Sequence, residues 1–319
     1  MLHITNGGAT KAPLERSGVP GRFFSWDDIL HDGPTPLLTG DEWIRIRTKY
    51  LASAGYGDEQ EMFDTFVGKD ALERLNGEDE VVFWFEHDLY DQLLLIRHLW
   101  WIDTHGRGRA GKYSIVIGTD YLGMLEPEDF PPRFQRRTAI TEEQIQLGSA
   151  AWKAYCGDDP GKLEAFSDLR PEGRSYLALP YLGRAMHRLF EEFPSTENGL
   201  SRCERQILEV LSEGDRSPEQ TFIQASTREE DIWLGDWSFW TMVQRLNAGQ
   251  HPLLTLDVQP CEDRLPTGTL AITGTGRRVL AGGADQVALN GISRWIGGTH
   301  LTPERCWRWT GSSLQPPAP

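Results

Sequence analysis

The sequence is short of several things at once. Its four cysteines (Cys156, Cys203, Cys261 and Cys306) are widely spaced, and no two form a CxxC pair. That spacing argues against a zinc finger or a disulfide framework and leaves free thiols in a reducing compartment. Long apolar runs are missing too. The longest, around Leu93–Ile102, is broken by Arg97 and His98, too short and too charged to cross a bilayer. The opening MLHITNGG has no basic segment followed by an apolar one, so no secretory leader is read and cytoplasmic residence is the expectation by elimination. Positive charge is scarce: 32 Lys and Arg stand against 47 Asp and Glu, a net charge of −15. An acidic chain repels a phosphate backbone unless its bases cluster, so nucleic acid is disfavoured as a partner. No P-loop, nucleophile elbow or HExxH is present, and no strand–helix turn carries GxGxxG. A nicotinamide or flavin cofactor is disfavoured accordingly.

What is present is ordinary globular usage, 39% hydrophobic and 25% charged over 319 residues. Two domains are the natural expectation for that length. Over 1–140 the rhythm is strand, helix, strand, helices, strand, helix, strand. Leu2–Thr5, Arg22–Trp26, Glu80–Phe85 and Tyr113–Ile117 read as the strands, and the third, apolar on both faces, as a central one. Helices are expected at Ala9–Ser17, Asp41–Ala54 with Asp41 as cap, Glu59–Leu75 and Asp88–Asp103. This is α/β: a small Rossmann-like, mostly parallel sheet with flanking helices. Residues 141–198 read as a helical bridge packed on it, with helices at Glu142–Tyr155, Lys162–Leu169 and Ser175–Phe193. From 199 to 310 the order is three helices, two strands and a helix, a winged-helix-like domain, followed by a disordered tail over 311–319. Its third helix, Asp236–Leu246, is aromatic and carries only Arg245 as a base. Packing on the other domain or on a second subunit fits that helix better than DNA reading, and a homodimer is compatible with it.

In a parallel sheet, ligands sit outside the carboxyl ends of the strands. Those ends supply Asn6, then Asp27, Asp28, His31 and Asp32, then Glu86, His87, Asp88, Asp91 and Gln92, then Asp120. Acidic and imidazole groups gathered on one rim point to general acid/base chemistry or a divalent cation, Mg or Mn. The expected roles are Asp28 and Asp88 as metal ligands or acid/base groups, His31 or Glu86 in proton transfer, and Asn6 and Gln92 orienting substrate. The Asn6-Gly7 turn would offer backbone N–H groups to an anion. Blander readings stand beside these. Asp88 is a good helix N-cap, Asp91 suits a helix first turn, His87 reads as a solvated turn residue, and His3 as a hydrogen-bonded core histidine.

The segments HITNG, SWDDILHDGP, WFEHDLYDQLLLIRHL and LPYLGRAMHRLFEEFPS, with GLSRCERQIL three residues further on, resemble bacterial proteins catalogued as domain of unknown function 1835. The resemblance covers most of the chain and is carried by His3, Asn6, Gly7, Trp26, Asp28, Gly33, Pro34, Asp88, Asp91 and Gln92. The family's first motif reads HxxNGD, and Gly8 stands where that pattern has aspartate. The resemblance implies an architecture and the location of a site, and no reaction. The functional expectation is an enzyme of hydrolase or phosphoryl/nucleotidyl-transfer type acting on a phosphorylated or nucleotide-like small molecule. The alternative is a ligand-sensing regulator or an interaction module.

Overall fold

The computed structural model describes residues 1–69, 77–106, 111–167, 178–261 and 264–317. The expected ends of the helices at Leu75, Leu169 and Ser175, and the loop over 107–110, lie outside the described residues. The chain begins with β1 (Leu2–Thr5), α1 (Gly8–Arg16) and β2 (Arg22–Ser25), then α2 (Gly40–Ser53), α3 (Glu59–Lys69), β3 (Val81–Phe85), α4 (Leu89–His105) and β4 (Tyr113–Ile117). After α5 (Phe130–Gln135), the two-residue β5 (Thr138–Ala139) completes a five-stranded sheet in the order β2-β1-β3-β4-β5. The first four strands pair in parallel and β5 pairs antiparallel to β4. The protein is therefore α/β with a mainly parallel sheet. The strand order reverses between β1 and β3, and crevices form at such switch points.

Why β3 is central can be read from its residues. Every side chain of Val81–Phe85 is fully buried, because helices cover both faces of a parallel strand. Leu14, Trp84, Leu122 and Phe130 pack on one face, while Phe83 and Phe85 join the larger core formed with α4. α6 (Glu142–Tyr155) and α7 (Leu182–Phe190) pack against α4, so the middle of the chain extends the layer on that face. Between them, Pro160–Phe166 is a 3-10 helix where an α-helix over Lys162–Leu169 was expected. At α2 the cap position is Thr39 rather than Asp41, which falls in the first turn instead.

The C-terminal elements are α8 (Arg202–Ser212), α9 (Pro218–Ser226), α10 (Asp236–Asn247), the antiparallel pair β6 (Leu254–Gln259) and β7 (Thr267–Ile272), and α11 (Gly274–Leu280). Ser201 and Glu204 cap α8 reciprocally, as their spacing predicts. α12 (Gln286–Asn290) leads to the hairpin β8 (Arg294–Ile296) and β9 (Thr299–Leu301). β10 (Arg308–Trp309) then pairs with β11 (Leu314–Gln315). The expected disordered tail thus contributes a strand, because Leu314 is buried and its N–H donates to Glu164 Oε1 at 3.2 Å. The β8–β9 turn presses on the end of α6. A Cβ at Gly297, where φ is +60°, would lie 2.3 Å from the Tyr155 carbonyl oxygen. The Gly298 N–H donates to that same oxygen at 2.8 Å, and the Gly297 oxygen accepts from Thr35 N at 3.0 Å.

α10 docks on the N-terminal layer. Its Ser238 Oγ lies 3.1 Å from His31 Nε2, Thr241 Oγ1 is 3.2 Å from Tyr56 Oη, and Arg245 Nη2 donates to Asp32 Oδ2 at 2.6 Å. Burial alone would raise the Asp32 carboxyl, but Arg245 and Arg294 outweigh it and hold it at about 2. A carboxyl depressed on folding stabilises the protein above its unfolded value, and that stability is lost as pH falls from about 4 towards 2. Asp32→Asn should therefore loosen this docking. Limited proteolysis at neutral pH should cut the variant between the two layers several times faster than the native chain, and equal rates would assign α10's docking to its apolar residues alone.

Candidate functional site

The site grows from the β3–α4 turn. β3 ends at Phe85, Glu86 follows, and Asp88 caps α4 by accepting from the Asp91 N–H at 3.0 Å. That cap turns Asp91 back towards the strand, where its Oδ1 accepts from the Glu86 N–H at 2.7 Å. Asn6, at the end of the neighbouring β1, donates its amide to Glu86 Oε1 and to Asp91 Oδ2, each at 3.0 Å. The Leu122 N–H, beyond β4, donates to the same Glu86 oxygen at 2.8 Å. Gln92 fixes the turn from beneath, its Nε2 donating to the Glu86 carbonyl at 2.7 Å.

Glu86, Asp88 and Asp91 are all buried, and each offers a carboxylate oxygen within 4.8 Å of the others. Desolvation is the largest influence on all three and raises each carboxyl. Asp88 is pushed up to about 7, with Glu86 and Asp231 adding repulsion. Asp91, enclosed completely, is raised well above the ordinary carboxylate range, with Asp88 and Glu86 contributing. Three carboxylates this close cannot all be charged without a compensating proton or cation.

A cavity of about 260 Å³ opens beside the turn, lined by His87, Leu89, Arg184, His187, Arg202 and Asp231 among others. His87 Nε2 lies 3.1 Å from Asp231 Oδ1, whose second oxygen accepts from Arg184 Nε at 2.8 Å. The His87 ring packs at a centroid distance of 5.2 Å from Tyr121 and 6.0 Å from Tyr181. His87 is thus a buried wall of the cavity and not the solvated turn residue its sequence suggests, because α7 and the 230–231 segment close over it.

The predicted site residues divide into those the structure brings together and those it separates. Asn6, Glu86 and Asp88 converge. Asp28 does not join them. It forms a buried, two-pronged ion pair with Arg47, with Nη2 to Oδ1 at 2.7 Å and Nε to Oδ2 at 3.0 Å. The expected Asp28–Asp88 pair does not form, since the Arg47 guanidinium already satisfies the Asp28 carboxylate, and the carboxylates grouped with Asp88 are Glu86 and Asp91. His31 is likewise displaced from the expected proton-transfer role. It faces Ser238 and the Trp233 ring, and burial lowers it to about 4, so it is a neutral interface residue. Gln92 is 1% exposed, and its Nε2 is engaged by the Glu86 carbonyl, so it fixes the turn that carries Glu86. Asn6 holds the two carboxylates together, and its amide hydrogens are used in doing so. Gly7 is the residue before α1, extended at φ 165° and with no side-chain cap bond. His3 is the hydrogen-bonded core histidine it was read to be, between the Trp84 indole N–H at 3.0 Å and the Pro20 oxygen at 3.1 Å.

Gly33 shows why a turn residue near Asp28 needs to be glycine. Its φ is +85°, and a Cβ there would lie 2.2 Å from the Tyr50 ring. Gly8 is under no such demand, for a Cβ there meets nothing within 4 Å. Sequence reasoning placed Asp91 on the rim but gave it only a dipole role. The Glu86-x-Asp88-x-x-Asp91 spacing was the available signal, since a capping aspartate folds the residue three positions on back against its own side chain. Set against protein-family models and against curated proteins, the chain matches none.

Proposed function

We propose that this protein is an enzyme of hydrolase or phosphoryl/nucleotidyl-transfer type, acting on a phosphorylated or nucleotide-like small molecule bound outside the carboxyl ends of β1 and β3. The observation that carries the reading is the trio of buried carboxylates within 4.8 Å at the point where the strand order reverses. Asp88, held near 7, is the general acid/base group, because a proton donor works best when its affinity matches the ambient pH. Burial holds it there, with Glu86 and Asp231 adding repulsion, and Asn6 fixes the separation of Glu86 and Asp91. A Mg or Mn ion is the alternative occupant to the shared proton, with Glu86, Asp88 and Asp91 as its oxygen ligands.

Asp88→Asn tests the assignment cleanly, because asparagine caps a helix about as well as aspartate. In a screen of phosphate esters and nucleotides with Mg or Mn, the native chain should turn over at least one. The variant should lose kcat by about 10²–10⁴ while melting no lower than the native chain. Full activity in the variant, or no turnover of any phosphate compound by the native chain, would sink the reading.

The C-terminal segment we read as winged-helix-like on its order of helices, hairpin and helix. We assign it docking and not DNA binding, since the polar side chains of α10 that would face a groove are used on His31, Asp32 and Tyr56. We retain the resemblance to the domain of unknown function 1835 as part of this proposal. Seven of its ten positions fall into two groups here, Asn6, Asp88, Asp91 and Gln92 at the rim, and Asp28, Gly33 and Pro34 around Arg47.

A further inference from the structure

Cavities on the molecule differ in whether their cations are already matched. In the cavity beside His87, Arg184 is bound by Asp231, Arg188 by Glu229 and Arg202 by Glu191. In an open groove of about 470 Å³ along α8, Arg205 is bound by Glu197 and Arg228 by Glu209. A third cleft, of about 320 Å³, lies at the carboxyl end of β4 and is lined by Ile117, Gly118, Asp120, Leu122, Arg133 and Arg136, with others. It holds two arginines against one carboxylate. Arg136 makes no ion pair among the described residues.

The cleft exists because β5 is so short. It pairs only with Ser114 and Ile115, so no strand covers the outer edge of β4 beyond Ile115 among the described residues. Arg133 is held in place by its Nη1, which donates to the Asp129 oxygen at 2.8 Å. Its Nε and Nη2 both point at one Asp120 oxygen, at 3.3 and 2.6 Å. The Asp120 side chain is 57% exposed, and exposed ion pairs are weak. Asp120 therefore occupies a guanidinium fork that an incoming oxyanion could take. The cleft is also tied to the acidic cluster, since Leu122 lines it and donates its N–H to Glu86.

We propose that this cleft is the phosphate subsite of the ligand site, with Arg133 and Arg136 binding the phosphate group of a small molecule and Asp120 standing in its place when none is bound. The inference rests on the reading of the sheet's carboxyl end as the ligand site and names where that ligand's charge is held.

Calorimetric titration of the full chain with inorganic phosphate at low ionic strength tests it, using native protein, Arg136→Gln and Asp120→Asn. Arg136 is exposed, so its loss should leave the melting curve unchanged. Phosphate should bind the native chain, about tenfold more weakly to Arg136→Gln and about threefold more tightly to Asp120→Asn. Native-like affinity in Arg136→Gln, weaker binding in Asp120→Asn, or no binding by the native chain would each overturn the subsite. The two readings separate by their own failures. Phosphate bound through Arg136 by a chain that turns over no phosphate ester keeps the subsite and removes the enzyme. Turnover that needs Asp88 but is indifferent to Arg136 keeps the enzyme and removes the subsite.

Discussion

Asp28→Ala should unfold about 5–8 °C below the native protein, and the loss should come from stability and not from chemistry. The Arg47 side chain is completely enclosed, and besides Asp28 it donates to the carbonyl oxygens of Ile29 at 2.8 Å, Asp32 at 2.7 Å and Pro34 at 3.3 Å. Removing one partner of such a pair strands the other charge in the interior, at a cost of about 3–5 kcal/mol. In a chain of 319 residues that unfolds as one unit, each kcal/mol moves the midpoint by about 1.5 °C. Arg47→Met should be at least as damaging, because three carbonyls lose their donor along with the carboxylate. Thermal melts of the two single variants and the double variant would show strong coupling. A melting point within a degree or two of native for Asp28→Ala, together with lost turnover, would return Asp28 to the reacting groups.

The second large effect concerns pH. A carboxyl whose folded pKa lies above its unfolded value binds more protons when folded, so stability falls as pH rises between the two. For Asp88 that window runs from 3.8 to about 7, and Glu86 and Asp91 shift in the same direction. His31 and His98 oppose it. Burial lowers them to about 4 and about 3, so stability gains as pH rises from those values to 6.5. The overlap makes the raw profile ambiguous, and the difference between the native chain and Asp88→Asn isolates the cluster. Across pH 4 to 8 the native chain should lose a few kcal/mol, to order of magnitude, relative to the variant. At pH 8 the variant should be the more stable of the two. Adding Mn should recover the native chain at pH 8 and do little at pH 4, where protons already neutralise the cluster. Parallel profiles for the two proteins would mean that Asp88 ionises normally in the folded state.

The two predictions differ in how much of their basis was legible beforehand. β3, the Asp88 cap and the Ser201–Glu204 box depend on local order, and local order is written in the sequence. The rim at the ends of β1 and β3 followed from the strands alone. Asp28 was legible as an acid at a strand end, but its partner Arg47 lies on a helix nineteen positions on, and only tertiary packing decides which way the carboxylate turns. His31 is the extreme case, since its hydrogen-bond partner Ser238 lies 207 positions away. Arg133 and Arg136 gave no signal, because a cleft left by a short strand is not a property of the residues that line it.

The turn at Gly297–Gly298 sets the order in which the molecule can be completed. The Tyr155 carbonyl and the Thr35 N–H are satisfied by groups at Gly297 and Gly298, made more than 140 residues after either of them. Closing loops of that length is slow because their entropy is lost before the contacts form. A nascent chain would hold a nearly finished sheet with the end of α6 and the loop after β2 still wet, until residues 297 and 298 emerge. The N-terminal layer is thus sealed by a turn that emerges about 140 residues after the end of α6, and a ribosome stalled before that turn would present an incomplete surface to chaperones and proteases.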